Sequence, residues 1–294
     1  MTVSALYIIL TGILIAISAA LLGSLLLARR MSMMGDAISH AVLPGIVLAF
    51  LLFETREPWV MLLAAMGTGL ATTFIIQFLQ KTIGIRSDAA LGITFTTFFA
   101  TGIILISLFA SKVDVDQDCV LFGEIAYVPL DLWISSSGLI LGPRALYINL
   151  FTMLCVLGTV LLFYRQWELT TFDPHFAKSI GINSSFWNYL LMGLTSCVMV
   201  SAFESVGAIL GVAFLVIPPA IGYLCARRLS GMLVIACISG SLMAILGYEV
   251  AYIWNGSISG AMASVGGIFL LLIIACQKIS SRFRWRFSLG KTPL

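Results

Sequence analysis

The chain has 294 residues, of which 60% are hydrophobic and only 10% charged, and its mean hydropathy is +1.08. These values exclude an ordinary soluble domain and point to an integral membrane protein with several spans. A net charge of +3, with the basic residues scattered between apolar runs, offers no nucleic-acid-binding face. The runs are of helical length, which excludes an outer-membrane barrel. The expected fold is therefore all-α: a polytopic transmembrane helical bundle of about eight to nine spans, a single transmembrane domain over 1–294 in contact with membrane lipid.

Apolar segments of spanning length are drawn at 5–28, 37–53, 59–80, 89–110, 146–164, 186–203, 206–226, 231–252 and 259–277. The first lacks a basic n-region, and its nearest basic pair, Arg29 and Arg30, follows it, so it reads as a span and not as a cleavable signal. With the N-terminus outside, thirteen of the 16 Lys and Arg residues fall inside, and only Arg56, Lys112 and Arg144 fall outside. That bias predicts an external N-terminus and a cytoplasmic C-terminus.

The stretch RRMSMMGDAISHAVLPGIVLAF, residues 29–50, places Asp36 and His40 four residues apart ahead of an apolar run. On a helix they share one face. A carboxylate at the centre of a span costs about 2.5 to 3.5 kcal/mol on insertion scales, so such residues face an aqueous path or a partner. A carboxylate with a neutral imidazole suits a divalent transition ion. The competing reading has Asp36 capping the helix that begins near Ala37, with His40 donating to a backbone carbonyl.

The longest outside stretch, Ser111 to Arg144, opens with the acidic run VDVDQD. Asp114, Asp116 and Asp118 do not make a calcium loop, because Cys119 stands where the turn needs Gly and Ile125 where the closing Glu belongs. A solvated loop and an attractive field for cations both fit. Leu132 to Leu141 is too short to span and is expected to lie at the interface or re-enter. The six cysteines have no CxxC spacing and read as small core residues. Gly207 with Gly211, and Gly256 with Gly260, have the spacing of close helix approach.

The inside loop 165–185, RQWELTTFDPHFAKSIGINSS, carries Asp173 ahead of Pro174 as a helix N-cap, a short amphipathic turn, and Gly181 as its end. A short cytoplasmic helix between spans suits a subunit on which a cytoplasmic partner must push. His175 reads as a surface histidine. Glu204 lies in VMVSAFESVGAILGVAF between two consecutive apolar segments, with Gly207 close behind. Either the backbone breaks there and the carboxylate faces a cavity, or Glu204 sits on a short turn at the outer interface.

With these residues in hand, the chain resembles the permease subunit of the bacterial ABC importers for manganese, zinc and iron over nearly its full length. The motifs that carry the resemblance are GDAISHAVLPG (Gly35 to Gly45), LFGEI (Leu121 to Ile125), FDPHFAKSIGI (Phe172 to Ile182) and FESVGAILGVAFLVIPPA (Phe203 to Ala220). Of the wider importer pattern EAA-x-x-x-G, the third keeps only Ala177 and Gly181. The resemblance implies that Asp36, His40 and Glu204 belong to the metal path, and that Asp173, Phe176, Ala177 and Gly181 belong to an ATPase-coupling loop with Ala177 entering a groove on the ATPase. It implies no covalently bound cofactor, and a transported manganese, iron or zinc ion. Its implied partners are cytoplasmic ATPase subunits, a second permease copy or a sister permease, and an external metal-binding delivery protein, all at the bacterial plasma membrane. The SHAVLPG and IPPA segments are closer to the manganese and iron branch.

A gradient-driven secondary transporter, with Asp36, His40 and Glu204 relaying protons, is the reading from another class. It leaves the 173–181 loop without a task. An intramembrane enzyme lacks HExxH and GxSxG. The GKT triplet at Gly290–Thr292 has Trp285 where a P-loop needs its first Gly, so ATP hydrolysis is expected on a separate chain.

Overall fold

Side chains that are apolar on every side leave the backbone no water to bond, so each segment satisfies its own N–H and C=O groups as a helix. The computed structural model describes residues 3–31, 33, 35, 37, 41–53, 58–109, 125–134 and 140–288. Eight helices among them are long and apolar enough to cross a membrane. In chain order the helices are α1 (Val3–Ala28), α2 (Leu43–Phe53), α3 (Pro58–Phe78), α4 (Ser87–Phe109), α5 (Arg144–Leu162), α6 (Tyr164–Phe172), α7 (Pro174–Ser179), α8 (Ser184–Val206), α9 (Ala208–Cys225), α10 (Leu229–Trp254) and α11 (Ile258–Ser288). The 11-residue α2 is too short to span by itself, but Met33, Gly35, Ala37 and Ala41 ahead of it are also helical.

The centre of the bundle is α1, which packs against α5, α8, α9 and α10. In α1 and α8, 67% and 72% of the most apolar stretch is buried, against 17% in α11. Helices α2, α3 and α4 form a lateral group joined to the centre by α3 against α8. Threonines in these spans turn their hydroxyls back on their own helix, as in Thr72 to Thr68 O (2.7 Å) and Thr97 to Ile93 O (2.7 Å). That removes the cost of an unpaired hydroxyl in an apolar setting.

Close approach is made by particular glycines. Gly23 of α1 lies against the Leu215 carbonyl of α9. That carbonyl loses its helical partner because Pro219, four residues on, has no N–H. The two prolines of the IPPA segment thus expose backbone, and a glycine on the neighbouring helix covers it. Gly45 of α2 lies against Thr68 of α3, and Gly247 of α10 against Met262 of α11. Of the spacings singled out in the sequence, Gly211 does meet a neighbour, its Cβ position being 3.3 Å from the Phe203 ring. The second pair is a correction: among the described residues Gly256 and Gly260 press on no other helix, because Gly256 sits at the turn between α10 and α11 and Gly260 in the first turn of α11.

One segment takes a form the sequence left open, and one further expectation is corrected. The 132–141 segment contributes to an antiparallel hairpin, β1 (Leu132–Ile134) with β2 (Ile140–Pro143), in which Leu132 pairs with Pro143 and Ile134 with Ile140. A short apolar run does not by its periodicity tell a strand from a buried helix segment. The five described cysteines are free thiols, and Cys155, Cys225 and Cys276 are exposed on the chain's outer surface instead of packed in its core.

Candidate functional site

Three places hold the residues of interest. Asp36 and His40 lie outside the described residues, as does all of LFGEI except Ile125. Their nearest described neighbours are buried, whereas Met33, three residues before Asp36, is exposed. Gly35 packs on the Leu215 side chain, half-way along α9, and Ala37, Ala41 and Val42 are buried. Beyond them Leu43 meets Gly102 of α4.

The second place is the end of α8. Glu204 is in its last turn and exposed, two residues before Val206, where the helix stops. The stop is made by Gly207, whose φ of 82° and ψ of 166° belong to a region open essentially to glycine alone. The backbone does break where the sequence suggested, but at the rim of the bundle and not at mid-depth. Asn149 Nδ2 donates to Ser205 Oγ at 2.8 Å and Ser259 Oγ to the Val206 carbonyl at 3.2 Å, tying α5 and α11 to this end. Among the described residues, Arg144 and Asp131 are the charged groups close enough to act on the Glu204 carboxylate. No group of three or more His, Cys, Asp or Glu side chains placed to hold a metal ion occurs among the described residues.

The third place is the elbow between α5 and α8. Asp173 caps α7, its Oδ1 accepting from the Phe176 N–H at 2.9 Å, and Pro174 takes the first helical position, where a missing N–H costs nothing. At the other end Gly181 has φ 85°. Its N–H donates to the Lys178 carbonyl (3.1 Å) and that of Ile182 to the Ala177 carbonyl (2.9 Å), the paired bonds of a Schellman closure. A six-residue helix is far below the length that is stable alone, so these two ends and the packing beneath hold it. Phe176 and Ile180 are exposed while Ala177 is fully buried. Ala177, expected to point outward, is the inward foot of α7, and Phe176 and Ile180 are the apolar side chains this short helix exposes.

Beneath the elbow lies an aromatic cluster that sequence reasoning missed. Trp167 is fully buried, donates from Nε1 to the Thr159 carbonyl at 3.2 Å, and meets Trp187 edge-on at 5.0 Å between ring centroids. Phe163 and Phe186 close on Trp187 at 5.3 and 5.7 Å. Arg29, at the end of α1, reaches into this cluster with its guanidinium 5.5 Å from the Trp167 ring centre. Nε donates to Thr171 Oγ1 (3.1 Å), and the two terminal nitrogens to Thr170 Oγ1 (2.9 Å) and Asn188 Oδ1 (3.4 Å). Burial lowers its pKa to about 10, which leaves it a cation at neutral pH. The signal available in the sequence was two tryptophans flanking the loop and an Arg that charge counting treated as topology only.

The profile of the ABC 3 transport family matches residues 4–277. The chain belongs to the ABC 3 transport family. It is a membrane permease subunit, and ATP hydrolysis in such transporters is carried by a separate chain. Over 264 residues it is 41% identical to the manganese transport system membrane protein MntD of Bacillus subtilis, a match covering 89% of this chain and 88% of that one. Identity to the zinc transport system membrane protein TroD of Treponema pallidum is 40% over 267 residues, covering 90% and 72%. Among solved structures, PsaBC from Streptococcus pneumoniae in complex with Fab superposes with a TM-score of 0.76 at 33% identity, covering 93% of this chain and 91% of that one. This ABC 3 membership, over nearly the whole chain, sets aside the gradient-driven carrier.

Proposed function

We propose that this subunit forms the path of an importer for a divalent transition metal ion, manganese first, then iron or zinc. The observation that carries the reading is the family match over 4–277 together with 41% identity to a manganese transport protein. Its partners are cytoplasmic ATPase subunits, a second permease copy or sister permease, and an external delivery protein that hands over the ion. In this reading Asp36 and His40 are the interior station, where a carboxylate and an imidazole replace part of the ion's hydration shell. Glu204, at the rim with Arg144 and Asp131 nearby, is an entry station separate from them. The elbow held by Asp173 and Gly181 presents Phe176 and Ile180 to the ATPase, with Ala177 as its buried support.

The subunit reconstituted with its ATPase and delivery protein in proteoliposomes is expected to take up radiolabelled manganese only with ATP, and to do so unchanged when a protonophore is added. Uptake without ATP that follows the proton gradient would overturn the importer reading.

The same reading sets the orientation: N-terminus outside, C-terminus cytoplasmic, in the bacterial plasma membrane. The excess of Lys and Arg on one side supports it, and it puts the α6–α7 elbow on the ATPase side and Glu204 outside. In a background without native cysteines, a membrane-impermeant thiol reagent added from outside is expected to label Asp116→Cys and spare Ser184→Cys. The reverse labelling pattern would invert the topology.

A further inference from the structure

Arg29 and Arg30 stand at the junction between α1 and the segment that carries Asp36 and His40. α1 closes with the Arg30 N–H donating to the Leu27 carbonyl (3.0 Å) and that of Met31 to the Leu26 carbonyl (2.8 Å). This is the same paired closure that ends α7, but the left-handed position is held by Arg30, at φ 58°, where glycine would be free of strain. A side chain there costs about 1 to 2 kcal/mol, and such strain persists only where its surroundings over-determine it. The surroundings are those of Arg29. Its three hydrogen bonds and its stack on Trp167 tie the end of α1 to the last turn of α6, one residue before the Asp173 cap, and to the first turns of α8.

All three acceptors are neutral oxygens, two threonine hydroxyls and one amide, so the tie rests on the planar fork of the guanidinium and not on an ion pair. Lysine cannot reproduce that fork. Thr170 Oγ1 spends its own proton on the Gln166 carbonyl (2.8 Å), which fixes it as an acceptor for Arg29. On one side of this clamp is the exposed elbow, and on the other a strained turn opens into the metal segment.

We propose that Arg29 is a positioning residue that transmits movement of the α6–α7 elbow to the segment beginning at Arg30, so that ATP-driven displacement of the elbow re-orients the ion-binding stretch. The inference rests on the importer reading. A displacement of α6 pulls the end of α1 through Thr170 and Thr171, and the left-handed turn at Arg30, being strained, yields before the straight helix does.

The test uses the complete complex of permease, ATPase and delivery protein in proteoliposomes, with Arg29→Lys and Arg29→Gln, and a fluorescent thiol probe at Met33→Cys in a background without native cysteines. Met33 is 71% exposed, so the probe displaces no packing. For both variants the complex is expected to assemble in normal yield and hydrolyse ATP, while ions imported per ATP fall about two- to thirtyfold, the range for residues that carry coupling without touching either ligand. The nucleotide-dependent change of the Met33 probe should disappear with it. Unchanged import per ATP in Arg29→Lys overturns this inference alone. A parallel fall of assembly, hydrolysis and uptake also overturns it, since Arg29 would then be only a structural tie. Absence of ATP-driven uptake in the unmodified complex overturns the importer reading instead.

Discussion

Asp36→Asn, Asp36→Ala and His40→Ala are each expected to lower manganese uptake by on the order of 100-fold, while the subunit still assembles in the membrane with its ATPase. Even outer partners of a metal site typically cost 10- to 100-fold when removed, and these are direct donors on the proposed reading. An ion that has shed part of its water needs replacement ligands throughout the apolar interior, and Gly35, Ala37 and Ala41 show how apolar the surroundings are. The asparagine variant separates the two readings of Asp36. Asn caps a helix as well as Asp does but brings no negative charge, so near-normal uptake by Asp36→Asn would make Asp36 a cap and remove it from the path.

The second large effect is expected at the elbow. Gly181 has φ 85° and open space around its Cα, so a substitution there meets strain and no clash. Valine should cost about 1 to 3 kcal/mol of local distortion, enough to displace a helix of six residues, whereas asparagine tolerates the left-handed region. Gly181→Val is expected to insert normally but to retain less than about a tenth of the ATPase in pull-downs, 1.4 kcal/mol being a tenfold change, and to lose uptake in proportion. Gly181→Asn should stay within a few-fold of wild type. Equal behaviour of the two variants would show that the left-handed closure does not position the docking surface. Ala177→Glu is a poor probe here, because Ala177 is fully buried and a carboxylate there would damage the fold itself.

The spans were legible because membrane helices announce themselves by length and apolarity alone, whichever neighbours they later find. Asp173 and Gly181 were legible for a similar reason: caps are local chemistry written within a few residues. The hairpin at 132–143 was not, since three- and four-residue strands are defined by their partner and not by their own pattern. The side of α7 that faces inward could not be assigned either, because a single turn is too short for a face to emerge, and Ala177 was placed outward by analogy with the family's pattern. Arg29 shows the deeper difficulty. Its acceptors, Thr170, Thr171 and Asn188, are remote in sequence, and nothing in the local pattern RRMS distinguishes an anchored arginine from a loop charge.

The central position of α1 has a consequence for how the molecule is made. It is synthesised well before its main neighbours, α9 and α10, which begin only at Ala208 and Leu229. At about 5 to 20 residues per second, the wait for them lasts on the order of ten seconds or more. Throughout that interval α1 must survive in lipid with its future core face uncovered. Its interior serines are suited to the delay: Ser18 donates to the Ile15 carbonyl (3.0 Å) and Ser24 to the Ala20 carbonyl (2.7 Å), so neither needs a neighbour to be satisfied. Assembly of the bundle is therefore an act of late capture, in which the last third of the chain folds around a helix that was waiting for it.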